Sequence, residues 1–158
     1  MKKKTGLFFL LLVMAGSTLA AQDYERSIGL RLGTMIGGSY KQFLHTAGAI
    51  EAILDLDIAH SSRMSVRGTV LYEYHFPIKA VDGLAWYLGA GVTIGAKVGD
   101  TADRLFLFGA DILGGVEYKL MTLPLCFSLD FDPKIYFAGY DTAHFEPLCI
   151  GLTARYTF

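Results

Sequence analysis

From residue 27 to the end of the chain, apolar residues recur at every second position in one segment after another. Period two marks strands with two unlike faces. Ser27–Gly33 carries Ile28, Leu30 and Leu32, and Ala49–Ile58 carries Ile50, Ala52, Leu54, Leu56 and Ile58. Met64–Phe76 carries Met64, Val66, Val70, Tyr72, Tyr74 and Phe76, and Leu84–Val98 carries Leu84, Trp86, Leu88, Ala90, Val92, Ile94, Ala96 and Val98. Leu105–Leu120 shows Phe106, Phe108, Ala110, Ile112, Val116, Tyr118 and Leu120; Leu125–Phe137 shows Leu125, Phe127, Leu129, Phe131, Ile135 and Phe137. The final stretch, "PLCIGLTARYTF", alternates from Leu148 to Phe158. A weaker segment, "GGSYKQFL" at 37–44, brings the strand number to eight.

The opposite face holds small residues and charges of both signs. Arg31, Lys41, Arg67, Lys97, Lys119, Lys134 and Arg155 share it with Glu51, Asp55, Asp57, Glu73, Asp111, Glu117, Asp130 and Asp132, and glycines stand between them. A soluble barrel would turn the apolar face inward. An eight-stranded barrel has a lumen that side chains just fill, too narrow for so many large and aromatic groups. The outer circumference is wider and accepts them. An apolar outer face is stable only in lipid, and closure leaves no unpaired backbone edge there. The expected fold is therefore all-β: an eight-stranded antiparallel up-and-down transmembrane β-barrel, apolar face outward, with a polar, plugged lumen. A hydrophobic content of 53% and a mean hydropathy of +0.39 agree with it.

The start of the chain has a different build. "MKKKTG" is basic, "LFFLLLVMAG" is uncharged and apolar, and "STLAAQ" is small, with Thr18 and Ala20 at cleavage-site spacing. This is the three-part form of a secretory signal peptide, expected over residues 1–21, with the barrel domain over 22–158. The apolar run is short for a spanning helix, and no Cys stands at the cleavage region as in a lipoprotein. Setting aside Lys2, Lys3 and Lys4 leaves 11 basic residues against 15 acidic ones, which is no nucleic-acid footprint.

With both termini periplasmic, the inner turns are "HTAG" (45–48), "KAVDG" (79–83) and "MTLP" (121–124). Asp82-Gly83 is a favourable tight-turn pair. The outer loops are "TMIG" (34–37), "AHSSR" (59–63), "GDTADR" (99–104) and "AGYDTAH" (138–144). Outward aromatics gather at the two strand ends, as expected of interfacial girdles: Tyr74, Phe76, Trp86, Tyr118, Phe127, Tyr156 and Phe158 at one, Phe106, Phe108 and Phe137 at the other. Pro133 lies inside a strand pattern and removes a ladder donor, so a bulge or break is expected there.

"GGSYKQFL", "AIEAIL", "YEYHFPI", "GLAWYLGAGVTIG", "GADILGGVEYKL", "PLCFSLDFDPKIYF" and "IGLTARYTF" together resemble the small outer-membrane β-barrel proteins of Bacteroidota, similar in architecture to OmpX and the OmpA barrel. The resemblance covers nearly the whole mature chain and implies location in the outer membrane of a Gram-negative envelope. It implies little about activity. It points to a monomer with a structural or envelope-interaction role, no large aqueous pore, no cofactor, and outer-membrane lipids and lipopolysaccharide as partners. The ending resembles the carboxy-terminal signal read by the barrel-assembly machinery, with Tyr156 and Phe158 as its aromatic positions.

Among the lumen charges, the turn positions set Asp55 opposite Arg67, Asp111 opposite Lys134, and Asp130 diagonal to Arg155, with Arg31 on the same face. Buried charges need partners, so a paired network that plugs the barrel is expected; the alternative is a narrow path for ions or small solutes. Enzymatic barrels that modify lipid A place a Ser–His–acid or Asp–His set at the outer rim. Here the supply is His60, Ser61, Ser62, Asp141, His144 and Glu146, on the second and fourth of four short loops and hence on opposite sides. "GAGVTIG" has the wrong spacing for a dinucleotide fingerprint and no helix follows it. His45 and His75 have no ligand spacing for a metal. Cys126 and Cys149 begin antiparallel neighbours, about 25 Å apart by strand rise, and are expected as free thiols.

Overall fold

The computed structural model describes residues 24–57, 63–99, 105–138 and 143–158. The expected signal peptide, residues 1–21, lies outside them. The strands are β1 (Arg26–Gly33), β2 (Ile36–Phe43), β3 (Gly48–Asp57), β4 (Arg63–Pro77), β5 (Leu84–Gly99), β6 (Leu105–Lys119), β7 (Leu125–Phe131), β8 (Lys134–Ala138), β9 (His144–Glu146) and β10 (Ile150–Thr157). Each pairs antiparallel with its neighbour from β1 to β6. Then β6 takes β7 along one half and β8 along the other, while β10 joins β7 to β1 and β9 lies on β8. So β7 and β8 are two parts of the seventh strand, β9 and β10 two parts of the eighth, and the sheet closes as an eight-stranded antiparallel barrel. At the seam, Ser27 to Gly33 face Thr157 to Gly151, and the backbones of Arg26 and Phe158 exchange hydrogen bonds of 3.0 and 2.9 Å.

The end of the barrel carrying Arg26 and Phe158 is the terminal end; the other is the loop end. The terminal end has three tight turns at the expected places. In one of them Gly83 takes a φ of +82°, which a Cβ would strain, and its carbonyl accepts the Lys119 N–H at 2.8 Å.

The break at Pro133 is present and has a definite form. Against β6 the register runs on unchanged, from Phe131 opposite Gly114 to Lys134 opposite Asp111. Against the eighth strand it slips by one residue, from Phe131 opposite Ile150 to Lys134 opposite Glu146. The extra chain at Pro147, Leu148 and Cys149 is the bulge, and the Asp132 N–H reaches the Cys149 carbonyl at 2.8 Å. This corrects the reading of 138–144 as loop up to a strand starting at Leu148, because His144–Glu146 already pairs with β8. Cys126 faces Arg155 while Cys149 lies beside Asp132, about 20 Å further along the strand, and both thiols are free and buried.

The two faces are inverted relative to a water-soluble protein. Leu30 is 71% exposed, Ile112 64% and Phe106 60%, whereas Lys41, Glu73 and Glu117 are fully buried. Aromatic side chains pack together on the outside near the terminal end. Phe76 stacks on Trp86 at 4.1 Å and touches Tyr74 at 5.0 Å, and Tyr156 lies 6.3 Å from Phe158. Near the loop end Phe108 lies 6.4 Å from Phe137. Ile112 sits midway along β6. Ile112→Arg is expected to lower the stability of the barrel refolded in lipid vesicles by about 2–4 kcal/mol, the cost of a guanidinium near the bilayer midplane. Urea unfolding checks this; an unchanged midpoint would mean that this face meets water.

The lumen is not lined by small and charged residues alone. Strand parity also turns Ile53, Leu71, Tyr87, Leu107, Leu113 and Tyr136 inward, each 3% exposed or less. They share the bulky apolar character of the outer face, so alternation alone does not single them out.

Candidate functional site

Two groups of ionisable side chains fill the lumen, each assembled from strands that are not all neighbours. At the terminal end, β2 supplies Lys41, β3 Glu51, β4 Glu73, β6 Glu117 and β10 Arg155, all 1% exposed or less. The Lys41 ammonium lies 2.8 Å from Glu73 and 3.3 Å from both Glu51 and Glu117. Arg155 makes a short charge-assisted contact with Glu51 and lies 3.8 Å from Glu117. It also donates to Ser39 at 2.9 Å and to Ser128 at 2.7 Å. Gly29 provides the room: a Cβ there would stand 2.7 Å from the Arg155 Cγ and 2.2 Å from a backbone carbonyl.

Tyr24, ahead of β1, closes this end. Its hydroxyl donates to Glu117 at 2.9 Å and its ring meets Phe43 edge-on at 5.2 Å. Burial, with the Glu117 charge second, holds its phenol well above the ordinary tyrosine value, so it stays a neutral donor. Phe43 in turn lies 4.8 Å from His75, and His75 stacks on Tyr87 at 4.8 Å. An aromatic column therefore runs from the mouth into the barrel.

Toward the loop end, Lys134 lies 2.6 Å from Asp132 and 3.1 Å from Asp111, and Arg31 lies 3.6 Å from Asp132. Thr93 donates to Asp111 at 2.6 Å and shares a 2.6 Å bond with Thr69. Gly151 leaves space for Arg31, since a Cβ there would be 2.2 Å from its Nε.

The expected partners divide into met and unmet. Asp111 and Lys134 face each other and bond. Asp55 and Arg67 face each other in register, but the Arg67 guanidinium is drawn to Glu146 at 2.7 Å and Tyr136 at 2.9 Å, with Asp57 at 3.7 Å. The Asp55 Oδ1 has no hydrogen-bond partner in the protein. Asp130 and Arg155 are not a pair. Their register partners, Gly151 and Cys126, place them four positions apart along the β7–β10 pairing, about 13 Å, so Arg155 crosses the lumen to Glu51 instead. Asp130 accepts from Tyr87 through a short bond and from Thr153 at 3.3 Å. Ser128 stands between it and Arg155, at 3.5 and 2.7 Å.

Of the rim residues, His60, Ser61, Ser62 and Asp141 lie outside the described residues. His144 is exposed on β9, and Glu146 is engaged by Arg67. Among the described residues no group of His, Cys, Asp and Glu is arranged to hold a metal ion; Lys41 fills the space between Glu51, Glu73 and Glu117. His45 instead organises a turn, accepting the Gly48 N–H at 3.2 Å on Nδ1 and meeting the Tyr72 hydroxyl at 3.0 Å through Nε2.

A closed eight-stranded barrel with charges inside and aliphatic side chains outside belongs to the membrane type of β-barrel. No protein-family model and no curated protein matches the chain. Among solved structures, the N-terminal β-barrel domain of Pseudomonas aeruginosa OprF matches it with a TM-score of 0.62 at 19% identity, covering 84% of this chain and 96% of that one. At that identity the likeness concerns the fold.

Proposed function

We propose that the protein is a monomeric outer-membrane barrel of the OmpA-like kind, with a structural or envelope-interaction role and no open aqueous pore. The observation that carries this is the filled lumen. Two charge clusters and, between them, a set of inward apolar side chains occupy the space that a pore would need. The apolar exterior supports lipid as its surroundings, and the likeness to the OprF barrel domain supports the outer membrane as its place. Lipids and lipopolysaccharide are then the partners of the outer face. The barrel-assembly machinery is the partner during biogenesis, through Tyr156 and Phe158.

Planar-bilayer recording of the refolded mature chain tests this reading. No steady conductance above the lipid background is expected. Discrete, lasting steps from the wild-type barrel would favour a narrow channel for ions or small solutes. An acyl-chain change in lipid A that depends on the gene, and is lost on replacing His144, would favour a rim enzyme.

A further inference from the structure

We propose that the lumen is sealed by an apolar septum centred on Tyr87, and that the two charge clusters flank this seal without forming it. The proposal rests on the closed-barrel reading above and says where the closure lies.

Ile53, Leu71, Tyr87 and Leu113 come from four consecutive strands, β3 to β6, and form one contiguous cluster, each 3% exposed or less. Tyr87 reaches furthest. Its ring stacks on His75 at 4.8 Å, lies under the Lys41 ammonium at 4.4 Å, and its hydroxyl bonds Asp130 on β7, beyond the intervening β6. One side chain thus reaches from the apolar quartet to the first polar strand beside it. Gly115 makes this placement possible, because a Cβ there would stand 2.6 Å from the Tyr87 hydroxyl.

The groups on either side of the quartet are of another character. Toward the loop end, Ser65 Oγ, Asp55 Oδ1 and Asp132 Oδ1 are buried without a protein hydrogen-bond partner; toward the terminal end the same holds for Ser27 Oγ. Buried polar atoms of this kind are satisfied by water. The Tyr87 hydroxyl is engaged by Asp130, and the rest of the quartet offers water no partner. Water can therefore enter both charged compartments, and the apolar layer is what keeps them apart. Removing a charge pair widens a compartment that is already polar. Removing the Tyr87 ring takes out the septum's largest member and the contact that ties it to β7.

The test compares conductances of refolded full-length mature chains in planar bilayers, with folding checked by heat-modifiable migration on gels. Tyr87→Ala is expected to give conductance steps roughly tenfold or more above the lipid background at which the wild type stays, since in a lumen this narrow a single ring decides closure. Leu71→Ala with Leu113→Ala carries the same expectation and serves if Tyr87→Ala does not fold. Tyr87→Phe keeps the ring and is expected to stay closed, as is Glu51→Gln with Arg155→Met. Folded septum variants as silent as wild type would overturn the proposal. So would conductance opened by the charge-pair variant while Tyr87→Ala stays closed. Conductance in the wild type itself would instead sink the closed-barrel reading.

Discussion

Lys41→Met is expected to destabilise the barrel by about 3–5 kcal/mol, the usual consequence of removing one partner from a buried ionic group. The ammonium is fully buried and lies within 3.3 Å of three carboxylates, Glu51, Glu73 and Glu117. Arg155 is then the cation left beside them, and its ion pairs go to Glu51 and Glu117, while Glu73 keeps the His75 ring at 3.0 Å. Methionine fills a similar volume, so the effect reads charge and not a cavity. Adding Glu73→Gln removes the carboxylate closest to the missing ammonium and is expected to restore much of the loss. Urea unfolding of the refolded barrel in detergent measures both. A single variant with wild-type stability, or a double variant no better than the single, would mean that the cluster contributes little.

The second large effect concerns assembly and not equilibrium stability. Phe158→Asp is expected to remove most heat-modifiable barrel from the membrane fraction of expressing cells, while the same variant still refolds from denaturant into detergent. Phe158 is 56% exposed on the outer face beside Tyr156, so its side chain makes few contacts within the barrel to lose. Its backbone bonds to Arg26 persist whatever the side chain. A cellular defect without a refolding defect is therefore the signature of a sequence read by the assembly machinery. Equal membrane yield for both chains would contradict that role, and failure to refold would assign Phe158 to seam stability.

Alternation exposed the strands because one face of each meets a continuous apolar surface, and no tertiary detail is needed to see that. The turn at Asp82-Gly83 and the break at Pro133 were legible for a similarly local reason, a backbone conformation in one case and a missing donor in the other. His144–Glu146 was not, because three residues beside a bulge carry too short a pattern. The lumen was legible in part. Facing pairs such as Asp111 and Lys134 follow from register. Contacts across the barrel do not: Lys41 meets Glu117, and Arg155 meets Glu51, through the curvature of the closed sheet. Tyr87 and Leu71 were overlooked for a further reason. Their parity is plain, but their apolar character matches the lipid face, and only the packed lumen shows that a charged interior also holds an apolar cluster.

The chain contains one tryptophan, Trp86, stacked on Phe76 on the outer face near the terminal end. It reports directly on the central claim, that this face lies in lipid. The barrel is refolded into vesicles whose acyl chains carry bromine at defined depths, and the Trp86 fluorescence is recorded. Quenching is expected, strongest with bromines near the headgroups and weaker with those near the bilayer centre, as befits an interfacial girdle. Fluorescence untouched by bromine at every depth, yet quenched by an ion dissolved in the water, would place the aromatic face in solvent and contradict the account.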